Sequence, residues 1–227
     1  MPEGQPLLDW PDYRSTALRH PKQPLVYLPE QATETTGPQL GDLRPPDRHD
    51  NDLTRQHEGE PVGERITVSG RLLDTDGRPI HDSLVEIWQA NAAGRYRHRW
   101  DTWPAPLDPH FSGGGRTVTD ADGRYAFVTI KPGPYPWGYH PKAWRPAHLH
   151  FSLLGRSFEQ RLVTQMYFPG DPLFPFDPIF HSVRDAGARE RMVSRFSLDD
   201  SQENWALHYE FDIVLGGRAG TPIEDAH

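Results

Sequence analysis

The chain contains no cysteine, and this absence excludes several kinds of site. Without thiolates the protein can hold neither a Cys-liganded zinc ion nor a Cys-liganded iron–sulfur cluster. Disulfide bonds are excluded as well, which is compatible with the reducing cytoplasm where we expect the protein to work. Any metal site must therefore do without thiolate ligands.

Long apolar runs and an excess of positive charge are also missing. No stretch reaches the roughly 20 apolar residues of a membrane-spanning helix, and residues 1–10 lack a basic region followed by an apolar core. We therefore expect no secretory signal and no membrane partner. Lys and Arg number 24 against 32 Asp and Glu, and the net charge of −8 argues against nucleic acid as a partner.

Turn-forming residues are abundant, with 24 Pro and 20 Gly in 227 residues. From about Gly63 onward, apolar and polar residues alternate as in half-buried strands, and Asp-containing turns that end in Gly separate the runs. The first strand begins near Ile66, and the best helical stretch runs from Asp185 to Arg195. Further strands are predicted at residues 83–88, 116–119, 124–130, 147–154, 161–168 and 206–215.

This pattern predicts an all-β protein with two regions. For residues 62–227 the pattern predicts a β-sandwich of mixed and antiparallel strands with one or two short helices. Residues 1–61 are rich in proline and polar side chains, and we expect an extended arm that contacts the domain or a partner chain. A short helix is predicted within the arm near residues 14–19.

Two histidines in one predicted strand indicate a metal site. His148 and His150 lie at positions i and i+2, so their imidazoles point to the same face of the strand. Two converging imidazoles supply half of a metal site. No carboxylate stands at the spacing of a cupin-like site or as an obvious partner for a 2-His-1-carboxylate site. Taken alone, the pair is also compatible with two polar side chains on an exposed strand face.

Two tyrosines are candidates for the other half. Tyr96 follows the predicted strand that ends at Trp88, and Tyr135 is held between two prolines, which restrict the backbone. A phenol has a pKa of about 10 and binds weakly charged ions poorly, but a trivalent cation deprotonates its ligands. Two phenolates and two imidazoles therefore suit Fe(III) better than Fe(II) or Zn(II). Each tyrosine alone could equally be a structural residue of a loop or turn.

Around these four residues the chain resembles the intradiol ring-cleaving dioxygenases, and among them the β-type chains of the protocatechuate-cleaving branch. The resemblance extends from about residue 10 to residue 218 and includes the order and spacing of the four candidate ligands. The matching segments are Glu34–Pro38, Gly63–Ile66, Leu84–Asn91, Gly94–His98, Ala105–Pro109, Ile130–Trp137, Trp144–Phe151 and Phe211–Leu215.

The resemblance implies a non-haem Fe(III) centre held by Tyr96, Tyr135, His148 and His150. Its substrates would be an aromatic diol and O2, and the ring would open between the two hydroxylated carbons. For protocatechuate (3,4-dihydroxybenzoate) the product would be 3-carboxy-cis,cis-muconate.

Further roles follow from the same resemblance. Tyr135 would also act as a base, Arg145 would stabilise negative charge on the ring, and Gln165 would lie in the pocket. His98 and His110 are not expected to be ligands.

The resemblance also implies a substrate pocket and a partner chain. Trp137 and Ile179 are expected to form its walls, and Tyr13 of the arm to reach it. Trp88 is expected either in the hydrophobic core or among the residues that contact the metal ligands. The sequence offers no identifiable cation for the substrate carboxylate. In protocatechuate enzymes a homologous α subunit lines the same pocket, so we expect an αβ hetero-oligomer.

Two alternatives remain open. A metal-free binding module resembling transthyretin-like domains would use the aromatic residues to line a ligand pocket. An intradiol enzyme for catechol or hydroxyquinol would act as a homodimer, and such relatives usually carry a helical N-terminal dimerisation region. Here the N-terminal region is Pro-rich and has no sustained 3.6-residue apolar period, which favours the protocatechuate type.

Overall fold

Strands dominate the computed structural model, which describes residues 9, 12, 50–137, 143–154 and 161–223. The strands of these ranges are β1 (Arg65–Leu73), β2 (Leu84–Trp88), β3 (Gly114–Val118), β4 (Arg124–Ile130), β5 (Tyr135–Pro136), β6 (Trp144–Arg145), β7 (His148–Leu154), β8 (Arg161–Tyr167), β9 (Arg195–Gln202), β10 (Ala206–Glu210) and β11 (Ile213–Val214). The helices are a 3-10 turn (Phe174–Phe176), α1 (Pro178–Ser182) and α2 (Ala186–Glu190).

The strands form two main sheets and a short ribbon. In the first sheet β1 pairs antiparallel with β4 and parallel with both β10 and β11, and β9 flanks β10. The second sheet has the order β3-β2-β7-β8 and is antiparallel throughout. Strands β5 and β6 form the ribbon. The predicted β-sandwich of mixed and antiparallel strands with short helices is confirmed.

The main core lies between the two sheets. Ile66 and Val68 of β1 and Leu149, Phe151 and Leu153 of β7 are all fully buried in one hydrophobic cluster. Because side chains alternate along a strand, the other residues of β7, including both histidines, face away from this core. A second, smaller cluster covers part of that outer face.

The structure corrects two predicted elements. The helix predicted from Asp185 to Arg195 is only the five-residue α2, because the chain beyond it bridges to the end of β8 at Val193 and then enters β9. The strand predicted at 206–215 is broken at Phe211 and Asp212, so that β10 and β11 pair with separate parts of β1.

Two further expectations concern helices and the arm. Within the described ranges the longest helices have five residues, far too short to span a bilayer. The helix predicted near residues 14–19 and the candidate pocket residue Tyr13 lie outside the described residues. The boundary between arm and domain stays a prediction.

A buried tyrosine in the core makes the stability of the fold depend on pH. Tyr125 of β4 donates its hydroxyl hydrogen to the backbone carbonyl of Phe211. Burial raises the pKa of Tyr125 well above its ordinary value, and the negative charge of Asp212 adds to the rise. The folded state therefore keeps this proton at a pH where the unfolded chain has lost it.

We expect Tyr125→Phe to lower the free energy of unfolding by about 1–3 kcal/mol near neutral pH. Above a pH of about 10 the unfolded wild type binds fewer protons than the folded one, so wild-type stability falls as the pH rises. The variant lacks this contribution, so the difference between the two proteins should shrink. Urea unfolding of both across this range checks it, and a constant difference would contradict it.

Candidate metal centre

Strand pairing in the second sheet places several predicted site residues opposite one another on neighbouring strands. His150 of β7 stands opposite Trp88 of β2 on one side and Gln165 of β8 on the other, and His148 stands opposite Tyr167. Residues directly opposite each other in an antiparallel pair share a face of the sheet. All five side chains therefore belong to the outer face, on the side of β7 away from the sandwich core.

The two candidate tyrosines meet the two histidines on this face. The Tyr96 hydroxyl lies 3.1 Å from Nε2 of His150, and the Tyr135 hydroxyl lies 3.3 Å from Nε2 of His148. The two phenol rings are 5.5 Å apart between centroids, and the two imidazoles are 4.8 Å apart. The structure thus brings all four predicted ligands into one cluster.

The loop that carries Tyr96 is held by short-range hydrogen bonds. The Oδ1 atom of Asn91 accepts from the backbone N–H groups of Ala93 and Arg95, both at 3.0 Å. The backbone N–H of Tyr96 donates to Oδ2 of Asp101 at 2.7 Å. These bonds fix the backbone that leads into Tyr96, so its ring enters the cluster from a defined direction.

Glycine allows the Tyr96 loop to lie against the segment that carries Tyr135. Gly94 has a φ of +76°, and a Cβ atom there would lie 2.2 Å from the carbonyl oxygen of Pro134. A Cβ atom at Gly133 would lie 2.3 Å from the carbonyl oxygen of Ala92. Both distances are far below van der Waals contact, so the approach of the two tyrosines depends on these glycines.

His148 is held in the protonation state that metal binding requires. Its Nδ1 atom lies 2.7 Å from the carbonyl oxygen of Pro146, and because a carbonyl only accepts, Nδ1 carries the hydrogen and Nε2 keeps a lone pair. Burial lowers the pKa of His148 well below its ordinary value, and the charges of Arg145 and His150 lower it further. The imidazole is therefore neutral near neutral pH.

Trp88 stacks on the other imidazole. The centroid of its ring lies 4.8 Å from that of His150 with an interplanar angle of 5°, and the residue is 36% exposed. Of the two places that the sequence allowed, the structure thus puts Trp88 beside a candidate ligand and not in the core. His98 is exposed in the loop after Tyr96, where its Nδ1 accepts from the backbone N–H of Trp100.

Arg145 and Gln165 form a buried network beside the four rings. Nη2 of Arg145 lies 2.5 Å from Oε1 of Gln165 and 2.9 Å from the hydroxyl of Tyr167. All three side chains are almost completely buried. Nε2 of Gln165 is buried and has no hydrogen-bond partner among the residues that the structure describes.

The two predicted pocket walls lie together. Trp137 and Ile179 are buried in one cluster with Ala143, and the backbone N–H of Trp137 donates to the carbonyl of Ala143 at 3.0 Å. Trp137 follows Tyr135 by two residues, so this cluster adjoins the ribbon β5-β6. Their contact with a substrate stays a prediction.

Two buried polar residues near the site were not found by sequence reasoning. Tyr167 lies two residues after Gln165 on β8, so the period of a strand could have placed it on the same face. Asp177 precedes Pro178, and an Asp-Pro pair is a typical start of a helix. Neither signal would have shown that both side chains contact Arg145.

The donor set fits a hard trivalent ion. It consists of two phenol oxygens and two imidazole nitrogens, one pair at 3.1 Å and the other at 3.3 Å. A trivalent charge deprotonates phenols that stay protonated near weaker cations, and phenolate is a known ligand of iron. The neutral state of His148 removes the competing proton from its Nε2 atom.

Comparison with known proteins decides the family. The protein-family model for "Dioxygenase" matches residues 35–217, and the model for "Protocatechuate 3,4-dioxygenase beta subunit N terminal" matches residues 2–31. The protocatechuate 3,4-dioxygenase beta chain of Burkholderia cepacia is 58% identical over 218 residues, which cover 94% of this chain and 91% of that one. The chain belongs to the intradiol dioxygenase family.

Other relatives of this intradiol dioxygenase include an α-type chain and an enzyme with a solved structure. The protocatechuate 3,4-dioxygenase alpha chain of Pseudomonas putida is 28% identical over 212 residues, covering 89% of this chain and 99% of that one. The crystal structure of 3-chlorocatechol 1,2-dioxygenase from Rhodococcus opacus 1CP matches with a TM-score of 0.56 and 25% identity, covering 79% of this dioxygenase and 70% of that chain. The predictions of the family and of an intradiol dioxygenase are confirmed.

Proposed function

We propose that this dioxygenase is the iron-bearing β subunit of an enzyme that opens the ring of protocatechuate with O2 between its two hydroxylated carbons. The product would be 3-carboxy-cis,cis-muconate. The observation that carries the proposal is the cluster of Tyr96, Tyr135, His148 and His150, with each phenol oxygen 3.1 or 3.3 Å from an imidazole Nε2 atom.

In this proposal the four clustered residues hold a non-haem Fe(III) ion. The bound ion would draw electron density from a chelated diol and so prepare the ring for O2. The phenolate oxygen of Tyr135 would accept a proton from a diol hydroxyl. Nε2 of His148 would stay free of protons because Nδ1 carries the hydrogen.

The buried network of Arg145, Gln165 and Tyr167 would supply a positive charge and a hydrogen-bond donor to the substrate. The side chain of Arg145 is only 4% exposed, so its charge would act on an electron-rich ring with little screening by water. Nε2 of Gln165, which has no partner among the described residues, would donate to an oxygen atom of the bound diol. Trp137 and Ile179 would form walls of the pocket that holds the ring.

We further propose that a homologous α chain completes the enzyme. The B. cepacia relative is named a beta chain, and the P. putida relative named an alpha chain matches over 99% of its own length. The two related chains would pair, and the α chain would supply the cationic contact to the substrate carboxylate. The assembly would work in the cytoplasm.

The test is a purified complex of this chain with a homologous α chain. We expect stoichiometric ferric iron, a phenolate-to-iron absorption band that shifts when protocatechuate is added without oxygen, and equimolar uptake of O2 with formation of 3-carboxy-cis,cis-muconate. Faster turnover of catechol or hydroxyquinol by the chain alone would instead support the homodimeric alternative. A protein that stays colourless and inactive after Fe(III) loading would overturn the proposal and favour a binding module.

A further inference from the structure

The carboxylate of Asp177 lies between the buried cation and a pocket wall. Its Oδ2 atom is 3.3 Å from both Nε and Nη2 of Arg145, and 3.3 Å from the hydroxyl of Tyr167. Its Oδ1 atom accepts from the backbone N–H of Ile179 at 2.9 Å and so caps the start of α1. Each oxygen of one carboxylate therefore contacts a different part of the site.

Charge explains why an acid stands at this place. The side chains of Arg145 and Asp177 are 4% and 0% exposed, so neither ion is solvated by bulk water. A buried guanidinium needs an opposite charge and fixed acceptors. Gln165 and Tyr167 offer neutral oxygens at shorter distances, while Asp177 offers the negative charge.

The same contacts determine which way the Gln165 amide points. Its Oε1 atom receives Nη2 of Arg145 at 2.5 Å and the hydroxyl of Tyr167 at 2.5 Å. A flipped amide would place its own NH2 group against these two donors, so the amide oxygen must face them. The Nε2 atom then points away from the network and remains unpartnered among the described residues.

We propose that Asp177 is a positioning residue that holds Arg145, and through it the Gln165 amide, in the orientation that ring cleavage requires. The inference rests on the proposed function of the site. Because Oδ1 of the same carboxylate caps α1, Asp177 also ties the position of Arg145 to that of Ile179. A shift of the carboxylate would therefore change the charge beside the ring and the wall of the pocket together.

The test is Asp177→Asn in the iron-loaded αβ complex. The amide keeps the shape of the side chain and can still cap α1, but it removes the charge. We expect unchanged iron content and resting absorption, a KM within about threefold of wild type, and a kcat reduced by about 10- to 100-fold, since small displacements of positioned groups carry such losses.

A matched control comes from the next helix. Asp185 caps α2 by accepting the backbone N–H of Ala188 at 2.6 Å, in the same way that Asp177 caps α1. Asp185→Asn therefore repeats the chemical change at a helix start that belongs to neither the network nor the predicted pocket. Its kcat should stay within about twofold of wild type, as expected for a surface substitution.

A double-mutant cycle decides whether Asp177 acts through Arg145. In an Arg145→Gln background, Asp177→Asn should change kcat by less than about twofold, because the group to be positioned is gone. An equal loss in both backgrounds would overturn the inference. So would a normal kcat in the single variant.

Urea unfolding of the iron-free chains gives a readout that does not depend on activity. The two substitutions together should destabilise the chain less than the sum of the single effects, since the double variant leaves no unpaired buried charge. If Asp177→Asn alone fails to fold, recovery of the double variant supports the pairing, and failure of both overturns the inference. If the wild-type complex takes up no O2, the proposed function is wrong and Asp177 has no role in catalysis. The unfolding measurements would still show whether Arg145 and Asp177 stabilise each other.

Discussion

Replacing both Tyr96 and Tyr135 by phenylalanine is expected to leave a folded but colourless chain. Its content of ferric iron should fall by a factor of about 100 or more relative to wild type. Removing a residue that only hydrogen-bonds to a metal ligand lowers metal affinity by about 10- to 100-fold. The loss should be larger here, because these substitutions remove two proposed ligand atoms. Oxygen uptake with protocatechuate should fall at least as far. Iron analysis after desalting and the visible spectrum of the αβ complex measure both effects.

The expected loss follows from charge. Two phenolates would neutralise two of the three positive charges of Fe(III), and two imidazoles alone would neutralise none. The substitutions delete single oxygen atoms and leave the rings in place. In the iron-free chain they remove two hydrogen bonds to imidazoles, at a cost of about 0.5–1.5 kcal/mol each, so the fold should persist.

Tyr125→Phe is the matched control for this double variant. It also deletes a phenol oxygen, but from the buried sandwich core, where the hydroxyl donates to the carbonyl of Phe211. We expect it to lose stability and keep full iron. If the double variant at Tyr96 and Tyr135 kept its iron and its phenolate absorption, other tyrosines would have to be the ligands and the proposed centre would be wrong.

The sandwich was predictable where local patterns and tertiary pairing agree. In β4, the residues Tyr125 and Phe127 alternate with exposed positions, and a turn that ends at Gly123 precedes the strand. The predicted bounds of this strand, 124–130, are those of the structure. Alternation also placed His148 and His150 on one face of β7, because that argument needs only the period of a strand.

The errors arose where a distant partner decides the local structure. The residues after α2 continue a helical pattern, but the backbone of Tyr167 exchanges hydrogen bonds with Met192 and Ser194 and draws the chain toward β8. Strand β9 has no clear alternation, and it forms because β10 pairs with it. Neither partner is visible from the segment itself.

The site divides in the same way. The histidine pair and the Pro-flanked Tyr135 are visible in short sequence segments, whereas the ligand role of Tyr96 drew its weight from the family pattern. The contact between Arg145 and Asp177 joins residues 32 positions apart in chain order. It depends on how the 3-10 turn packs against β6 and α1 against Tyr167 of β8, which no local periodicity determines.

Gly94→Ala tests whether the two tyrosine-bearing segments must touch. The new methyl group would combine a left-handed backbone, at about 1–2 kcal/mol, with an overlap against the carbonyl oxygen of Pro134 at 2.2 Å. Overpacking typically costs about 1–3 kcal/mol more. We therefore expect a total loss of about 2–5 kcal/mol in urea unfolding, together with iron retention reduced by about 10- to 100-fold because Tyr96 moves away from Tyr135.

Gly77→Ala separates the effect of backbone strain from that of the steric overlap with a neighbouring segment. Gly77 has nearly the same φ, +78° against +76° for Gly94, but a Cβ atom there meets nothing within 4 Å. This control should lose only the backbone contribution of about 1–2 kcal/mol and keep all its iron. If both variants lose the same stability and both keep all their iron, the two tyrosine loops tolerate separation. A selective loss of iron at Gly94 would show that the close approach of the loops is what assembles the centre.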